Sequence, residues 1–282
     1  VSLSISACII CYNQEQFINE TIDSALKQQI DHQYEVIVGD DVSTDSTSKL
    51  IEIAQRNHEI IVRTKSDRNL GMHGNWARCI KACTGDYIAL CEGDDFWNDP
   101  LKLQKQVDLL EANPTAAACF SNAYVVDENG NATDHQYVSR NFDMLEATDF
   151  FHLNINPIPT CTLVFRKSFF DGFPQEYYNS PFADWILHTL LIQKGPYVYL
   201  PEPTSSYRKH EHGVWSGIKA EKQLLNKLKA LTIIKTLVAD QYKSAVRKAI
   251  IKQLDDMLYF YRKEKNRLKY FTTWAKLKLM QV

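Results

Sequence analysis

Three carboxylates fall within four residues at Glu92-Gly93-Asp94-Asp95, directly after the apolar run Tyr87-Ile88-Ala89-Leu90-Cys91. Like charges this close repel one another and are best tolerated with a cation among them. Their hard oxygens suit magnesium or manganese. A second pair, Asp40-Asp41, follows the run Tyr34 to Val38 and Gly39. A carboxylate can accept hydrogen bonds from a nucleobase imide or from ribose hydroxyls. A divalent ion beside it can neutralise a diphosphate and help it leave. A solvated acidic turn is the plain alternative for either cluster alone, since acidic side chains are mostly exposed. It does not explain two clusters placed alike at strand ends.

The flanking elements must bring these clusters together. Ser6–Cys11, Tyr34–Val38, Glu59–Arg63 and Asp86–Cys91 read as strands, the central ones as continuous apolar runs. Helices are predicted between them. Glu15–Gln28 carries Phe17, Ile18, Ile22, Ala25 and Leu26 at helical spacing. A second helix runs from the capping residues Ser43 to Ser46 to about Asn57, and a third from about His73 to Ala82. Asp99-Pro100 opens a fourth, with Pro at its first position. Repeated β-α-β units predict an α/β fold with a doubly wound, mostly parallel sheet. Ligands of such sheets bind at the carboxyl ends of the strands, where both acidic clusters fall.

Further along, residues 116–126 and Cys161–Phe165 read as strands. Residues 127–156 read as irregular with a short helix near Thr148, and Asp184–Lys194 as a helix. Tyr197–Leu200 and Thr204–Arg208 read as two short strands. From Lys219 the pattern is helical only. The expected organisation is therefore a catalytic-type domain over 1–217 and a basic helical region over 218–282.

Composition narrows the classes. Of 282 residues, 45% are hydrophobic, enough for a sizeable core. No stretch reaches the roughly 18 apolar residues that span a bilayer. Val1 to Ile5 lack the basic region of a signal peptide. Seven cysteines are scattered. Cys8 and Cys11 form a C-x-x-C inside a strand-like run, with no second pair to complete a zinc site, so buried free thiols and a cytoplasmic setting are expected. The Asn131-Ala132-Thr133 sequon then has no consequence. No G-x-G-x-x-G follows the first strand and no G-x-x-x-x-G-K-[ST] occurs, which argues against a dehydrogenase or an ordinary NTPase.

Five segments, taken in order, resemble the inverting nucleotide-sugar glycosyltransferases of family 2. They are Ala7 to Asn13; Val36 to Thr47; Arg68-Asn69-Leu70-Gly71; Gly85 to Asp95; and Tyr207-Arg208-Lys209-His210. The resemblance covers residues 1 to about 217. It implies a GT-A fold, a nucleotide-sugar donor (most plausibly a UDP sugar), and Mn²⁺ or Mg²⁺. By matching position it implies that Cys11, Tyr12, Asn13 and Glu15 border the nucleobase and that Asp41 contacts it. Asn69 and Asn75 would pack beside the nucleotide. Glu92-Gly93-Asp94 stands at the family's D-x-D, with Glu in place of the first Asp. Asp94 and Asp95 are then expected near ribose and metal, His210 as a further ligand, and Arg208 near the diphosphate. Asp184 matches the family's base, which takes the acceptor hydroxyl proton as the sugar inverts. Spacing alone favours Asp184 as an N-cap or first-turn residue of its helix, and the resemblance reverses that preference. His212 shares a strand face with His210 and is a second, weaker ligand candidate. Trp215, between Gly213 and Gly217, reads either as part of a mobile loop over the acceptor or as a packing anchor.

Charge is uneven. Residues from Lys219 onward hold 16 Lys and Arg against 5 Asp and Glu, a net of +11; residues 1–218 carry a net of −13. Leu224, Leu228, Leu231 and Val238, and later Leu254, Leu258 and Tyr261, line helical faces among these basic residues. Such helices either lie on an anionic membrane surface or pack on their own domain or on a second copy of the chain. Nucleic acid is disfavoured, since no recognisable module is present and the acidic part would repel phosphates. The overall expectation is a glycosyltransferase acting on a hydroxyl of a glycan or lipid-linked acceptor in bacterial surface polysaccharide synthesis, peripheral to the membrane at most. One alternative is a nucleotidyltransferase, although residues 11–16 lack the basic residue it needs. The other is a non-catalytic nucleotide- or sugar-binding module.

Overall fold

A computed structural model describes residues 3–139, 143–153, 156–211, 213 and 218–281. The expectations for His212 and Trp215 lie outside these residues. Three continuous apolar runs form the centre of a sheet. Strands β1 (Ser4–Cys11), β2 (Gln33–Asp40) and β4 (Tyr87–Glu92) lie parallel with β1 in the middle. Strand β3 (Ile61–Thr64) extends the sheet beside β2. Helices α1 (Ile18–Leu26), α2 (Thr47–Asn57) and α3 (Gly71–Ala82) make the crossovers. Ile18, Ile22 and Ala25 of α1 join Ile5, Ala7, Ile9, Val36 and Val38 in one core. Each large aliphatic buried there contributes roughly 1.5–3 kcal/mol before the entropy of ordering is subtracted.

Beyond β4 the sheet becomes mixed. Strand β9 (Val164–Arg166) runs antiparallel between β4 and β6 (Ala118–Val126). Strand β10 (Tyr197–Arg208) lies parallel to β6, and β5 (Phe96–Trp97) closes the edge against β10. The order is β3-β2-β1-β4-β9-β6-β10-β5. Two short strands, β7 (Ala132–Gln136) and β8 (Met144–Leu145), attach to β6 and β10, so the described residues within 127–156 carry more regular structure than their polar sequence predicts.

Of the boundaries that differ from the sequence reading, three have a local cause. Helix α4 (Lys102–Ala112) begins two residues after Pro100, and Asp99 Oδ1 accepts the Leu101 N–H at 2.9 Å in the turn before it. Residues Thr160–Thr162 form a 3₁₀ turn in which Thr162 Oγ1 donates to the Pro159 carbonyl at 2.7 Å, so strand pairing starts only at Val164. Tyr197–Leu200 and Thr204–Arg208 belong to one strand. β10 slips register against β6 between Leu200 and Pro203 and again between Pro203 and Ser205. Bulges of this kind accommodate a proline that cannot donate to the ladder.

The chain falls into two compact units. The first holds the described residues within 1–145, 157–173 and 194–210, which include all ten strands and α1 to α4. The second holds those within 146–156, 174–193 and 211–282. Its helices are α5 (Ala147–His152), α6 (Ala183–Ile192), α7 (Ala220–Leu237), α8 (Asp240–Lys263) and α9 (Arg267–Gln281). Phe150, Phe151, Trp185, Leu231, Ile234 and Val246 line one small cavity, so α7 and α8 bury apolar side chains on α5 and α6. Among the described residues no helix is long and apolar enough to cross a membrane. All seven cysteines are free and buried.

Candidate active site

Register brings the strand ends level. Ile10 of β1 pairs with Gly39 on one side and Glu92 on the other, and Cys11 pairs with Asp40. The loops that follow therefore leave the sheet from one edge of the first unit. Two glycines allow their close approach. A Cβ on Gly39 would stand 1.8 Å from Cys79 Sγ and 2.9 Å from Asn75 Oδ1; one on Gly93 would stand 2.7 Å from Cys11 Cβ. Gly39→Ala is expected to destabilise the protein by about 1–3 kcal/mol through overpacking. This would be read as a lower denaturant midpoint at constant slope. An unchanged midpoint would mean that α3 yields freely.

The first two loops are stitched together. Asn13 N–H donates to Ser43 Oγ at 2.9 Å, while Asn13 Oδ1 accepts from Thr44 N–H at 2.8 Å. Gln14 N–H donates to Thr47 Oγ1 at 2.8 Å. Glu15 Oε2 accepts from Ser46 N–H at 2.8 Å. Asn13 and Val42 both take positive φ, 53° and 62°. For β-branched Val42 this is a strained conformation, of the kind that gathers at binding sites. Tyr12 is about half exposed beside this clasp, whereas Cys11 is buried, and burial pushes its thiol pKa well up.

Asp41 sits beneath the clasp. Its Oδ1 accepts from Leu70 N–H at 2.8 Å, and its carbonyl accepts from Asn69 Nδ2 at 3.0 Å. Asn75 Nδ2 donates to the Gly39 carbonyl at 2.8 Å. The structure thus brings Cys11, Asp41, Asn69 and Asn75 to one place. It also adds two cations that the sequence reading missed. Arg63 Nη2 lies 3.1 Å from Asp40 Oδ2, and Arg78 Nη2 donates to the Asp40 carbonyl at 2.9 Å. Arg78 follows Asn75 by three residues on α3, so both share a helix face. That spacing was the available signal.

The second centre joins the end of β4 to the end of β10. His210 Nε2 lies 3.0 Å from Asp94 Oδ2, and the ring packs 5.1 Å from Phe17. The bond to Asp94 raises the imidazole pKa, with burial opposing. Arg208 locks the two strands together. Its N–H donates to Asp95 Oδ1 at 2.8 Å, its Nε to the Asp94 carbonyl at 2.8 Å, and its Nη1 to the Glu128 carbonyl at 2.7 Å. Its Nη2 pairs with Glu20, and Phe17 and Phe96 flank the guanidinium at 4.8 and 5.3 Å. Arg208 is buried, and so is Asp95. Burial, reinforced by Asp94, pushes the Asp95 carboxyl well above the usual range, against the Arg208 amide and the Cys161 thiol.

Against the Thr160–Thr162 turn lies a fully buried lysine. Lys102 Nζ pairs with Gln106 Oε1, donates to the Thr162 carbonyl at 3.3 Å, and sits 4.9 Å from the Trp97 ring. Burial pulls its ammonium down to about 8. Trp97 Nε1 and Ser205 Oγ both donate to the neighbouring Cys161 carbonyl, at 2.8 and 3.0 Å. Together these groups pin the turn on which Asp95 rests. The sequence signal was Gln106 inside the apolar stripe of Leu103, Val107 and Leu110, with Lys102 one turn before it.

Asp94 and His210 offer a cation one oxygen and one nitrogen. Among the described residues, no three His, Cys, Asp or Glu side chains are grouped to hold an ion. The Asp94 carboxylate is the ligand type of hard cations, which keep water and phosphate oxygens in their remaining positions, whereas the His210 imidazole is a softer donor.

Asp184 belongs to the second unit, as the second residue of α6. It is half-buried, and Asn156 Nδ2 donates to its Oδ2 at 2.7 Å. Burial raises its carboxyl pKa; Asn156 and the amides of Trp185 and Asp184 itself oppose the rise.

A sequence model described as glycosyl transferase family 2 matches residues 6–173. An uncharacterized protein of Mycobacterium tuberculosis is 36% identical over 221 residues, 78% of this chain and 62% of that protein. The chain thus spans less than two thirds of the length of this relative. A dTDP-rhamnosyl transferase of Shigella flexneri, RfbG, is 28% identical over 218 residues, 71% of each chain. Among solved structures, S. aureus TarS in complex with UDP-GlcNAc superposes with a TM-score of 0.73 at 17% identity, covering 99% of this chain and 81% of that one. A Pyrobaculum calidifontis mannosyltransferase in complex with GDP-Man and Mn²⁺ superposes with a TM-score of 0.62 at 13% identity, covering 100% and 81%. The fold is GT-A, followed by C-terminal helices. The chain belongs to glycosyl transferase family 2.

Proposed function

We propose that this glycosyltransferase is an inverting, metal-dependent enzyme that moves a sugar from a nucleotide sugar to a hydroxyl of a glycan or lipid-linked acceptor. The observation that carries the reading is the level alignment of the β2 and β4 ends. It sets the Asp41 cluster and the Asp94–His210 pair at one edge of one sheet. In this reading the Asn13–Glu15 and Ser43–Thr47 clasp forms the nucleobase rim, with Tyr12 exposed for stacking and Cys11, Asn69 and Asn75 shaping the floor around Asp41. Asp94 and His210, with Asp95 behind them, face the diphosphate and would hold Mn²⁺ or Mg²⁺. A bound divalent cation would offset the negative charge of the departing diphosphate. Arg208 fixes the Asp94 peptide and keeps a positive charge under the same region. Asp184 accepts the acceptor proton; the burial that raises its pKa makes it a stronger base. The seven buried thiols support a reducing, cytoplasmic setting.

The related proteins support a nucleotide-sugar donor but carry three different nucleotides, dTDP, UDP and GDP. We favour UDP, and surface polysaccharide as the product class. The test is nucleotide release from UDP-, dTDP- and GDP-sugars with Mn²⁺ and then with EDTA. One donor is expected to be turned over slowly without acceptor, and EDTA should abolish the release. If no nucleotide binds even with Mn²⁺, the assignment of the Asp41 and Asp94 edge is wrong.

A further inference from the structure

Helix α9 is apolar on two opposite faces. Thr273 and Leu277 lie on one face and are each 5% exposed. At 100° per residue, Leu268, Phe271, Ala275 and Leu279 form a stripe on the opposite face. Leu268 is 76% exposed, Phe271 63% and Leu279 80%. Exposed apolar stripes of this length mark interaction surfaces. Arg267 and Lys278 border the stripe on one side and Lys276 on the other, and α9 contains no acidic residue. Where α9 meets α8, an open cleft of about 460 Å³ is lined by Tyr261, Arg262, Lys265, Arg267, Tyr270 and Phe271.

The charge pattern selects the occupant. A second copy of the chain would set one lysine border against another, and like charges facing across an interface are unfavourable. An anionic bilayer meets both demands. Leucine and phenylalanine enter the boundary between headgroups and acyl chains, while the bordering cations meet lipid phosphates. We propose that α9 docks on anionic membrane surfaces, with the Leu268–Leu279 stripe embedded and the basic cleft taking a lipid phosphate. This inference does not rest on the donor, metal or base assigned above.

The test is co-sedimentation of the full chain with vesicles of phosphatidylcholine alone or with phosphatidylglycerol. Binding to the phosphatidylglycerol vesicles is expected, weakening as salt rises and resisting inorganic phosphate at equal ionic strength. Leu268→Ser, Phe271→Ser and Leu279→Ser combined should weaken it at least tenfold. Lys276→Gln with Lys278→Gln should weaken it roughly fivefold per residue. Leu279→Trp should shift its emission to the blue when such vesicles are added, which decides the matter even if the triple variant folds poorly. The proposal is overturned if wild-type chain leaves these vesicles unpelleted, or if the serine variant binds within twofold of wild type. It is overturned equally if phosphate alone displaces the chain, or if the stripe instead mediates a dimer that the serines dissociate.

Discussion

Asp184→Asn is expected to lower turnover by about two to four orders of magnitude while nucleotide affinity stays within about twofold. The two side chains are nearly isosteric, and an amide oxygen can still accept from Asn156 Nδ2, so the local hydrogen bond survives. What is lost is the basicity of the carboxylate, which takes the acceptor proton as the sugar centre gains oxocarbenium character. The pH profile carries a second signature. Because burial raises the carboxyl pKa, wild-type turnover should rise with pH through that raised value, and this limb should vanish in the variant. The competing role is electrostatic support of α6. A first-turn carboxylate contributes about 0.3–1 kcal/mol at a helix N-terminus. If Asp184 does only that, the variant melts slightly earlier and turns over normally, which would remove it as the base.

His188 carries the second large effect, and it concerns stability. The side chain is fully buried in α6, its ring 6.0 Å from Phe150, and burial pulls the imidazole down to about 3 from an ordinary 6.5. The unfolded chain therefore binds a proton that the folded chain refuses. Stability from this group is complete above pH 6.5 and is lost as pH falls from there toward 3. By pH 4.5 the loss should reach about 2–3 kcal/mol. Carboxylates elsewhere titrate in the same range, so the informative quantity is the difference from His188→Gln. Denaturant midpoints at pH 7 and 4.5 should fall less for the variant than for wild type. Parallel losses in both proteins would show that His188 is not the acid-sensitive group.

Parts of this architecture were open to reading because their chemistry is local. The inner stretches of β1, β2 and β4 are buried on both faces and largely apolar, so they stood out as runs. Asp40-Asp41 and Glu92 to Asp95 stood out because charge follows apolar residues abruptly. The Asp94–His210 contact spans 116 residues. No spacing rule reaches so far, and only the family resemblance put His210 beside the acidic cluster. Lys102 was overlooked for a different reason, although Gln106 within the apolar stripe hinted at it. Lysine is almost never fully buried unless paired, and its partners, Gln106 and a backbone carbonyl on a distant turn, exist only in the folded chain. The two-residue strands β5 and β8 are too short to show any alternation.

The slips in β10 have a consequence for how this chain can change. Leu200 faces Ser121 of β6 and Arg208 faces Val126, so eight steps along one strand answer five along the other. The excess is odd. Side chains alternate with a period of two, so an odd surplus turns Arg208 to the opposite side from the one an unbroken ladder would give it. Adding or removing a single residue between Leu200 and Ser205 would point the guanidinium away from Asp94 and Glu20, whereas a pair would leave it facing them. The length of that short segment is thus constrained by parity more than by size.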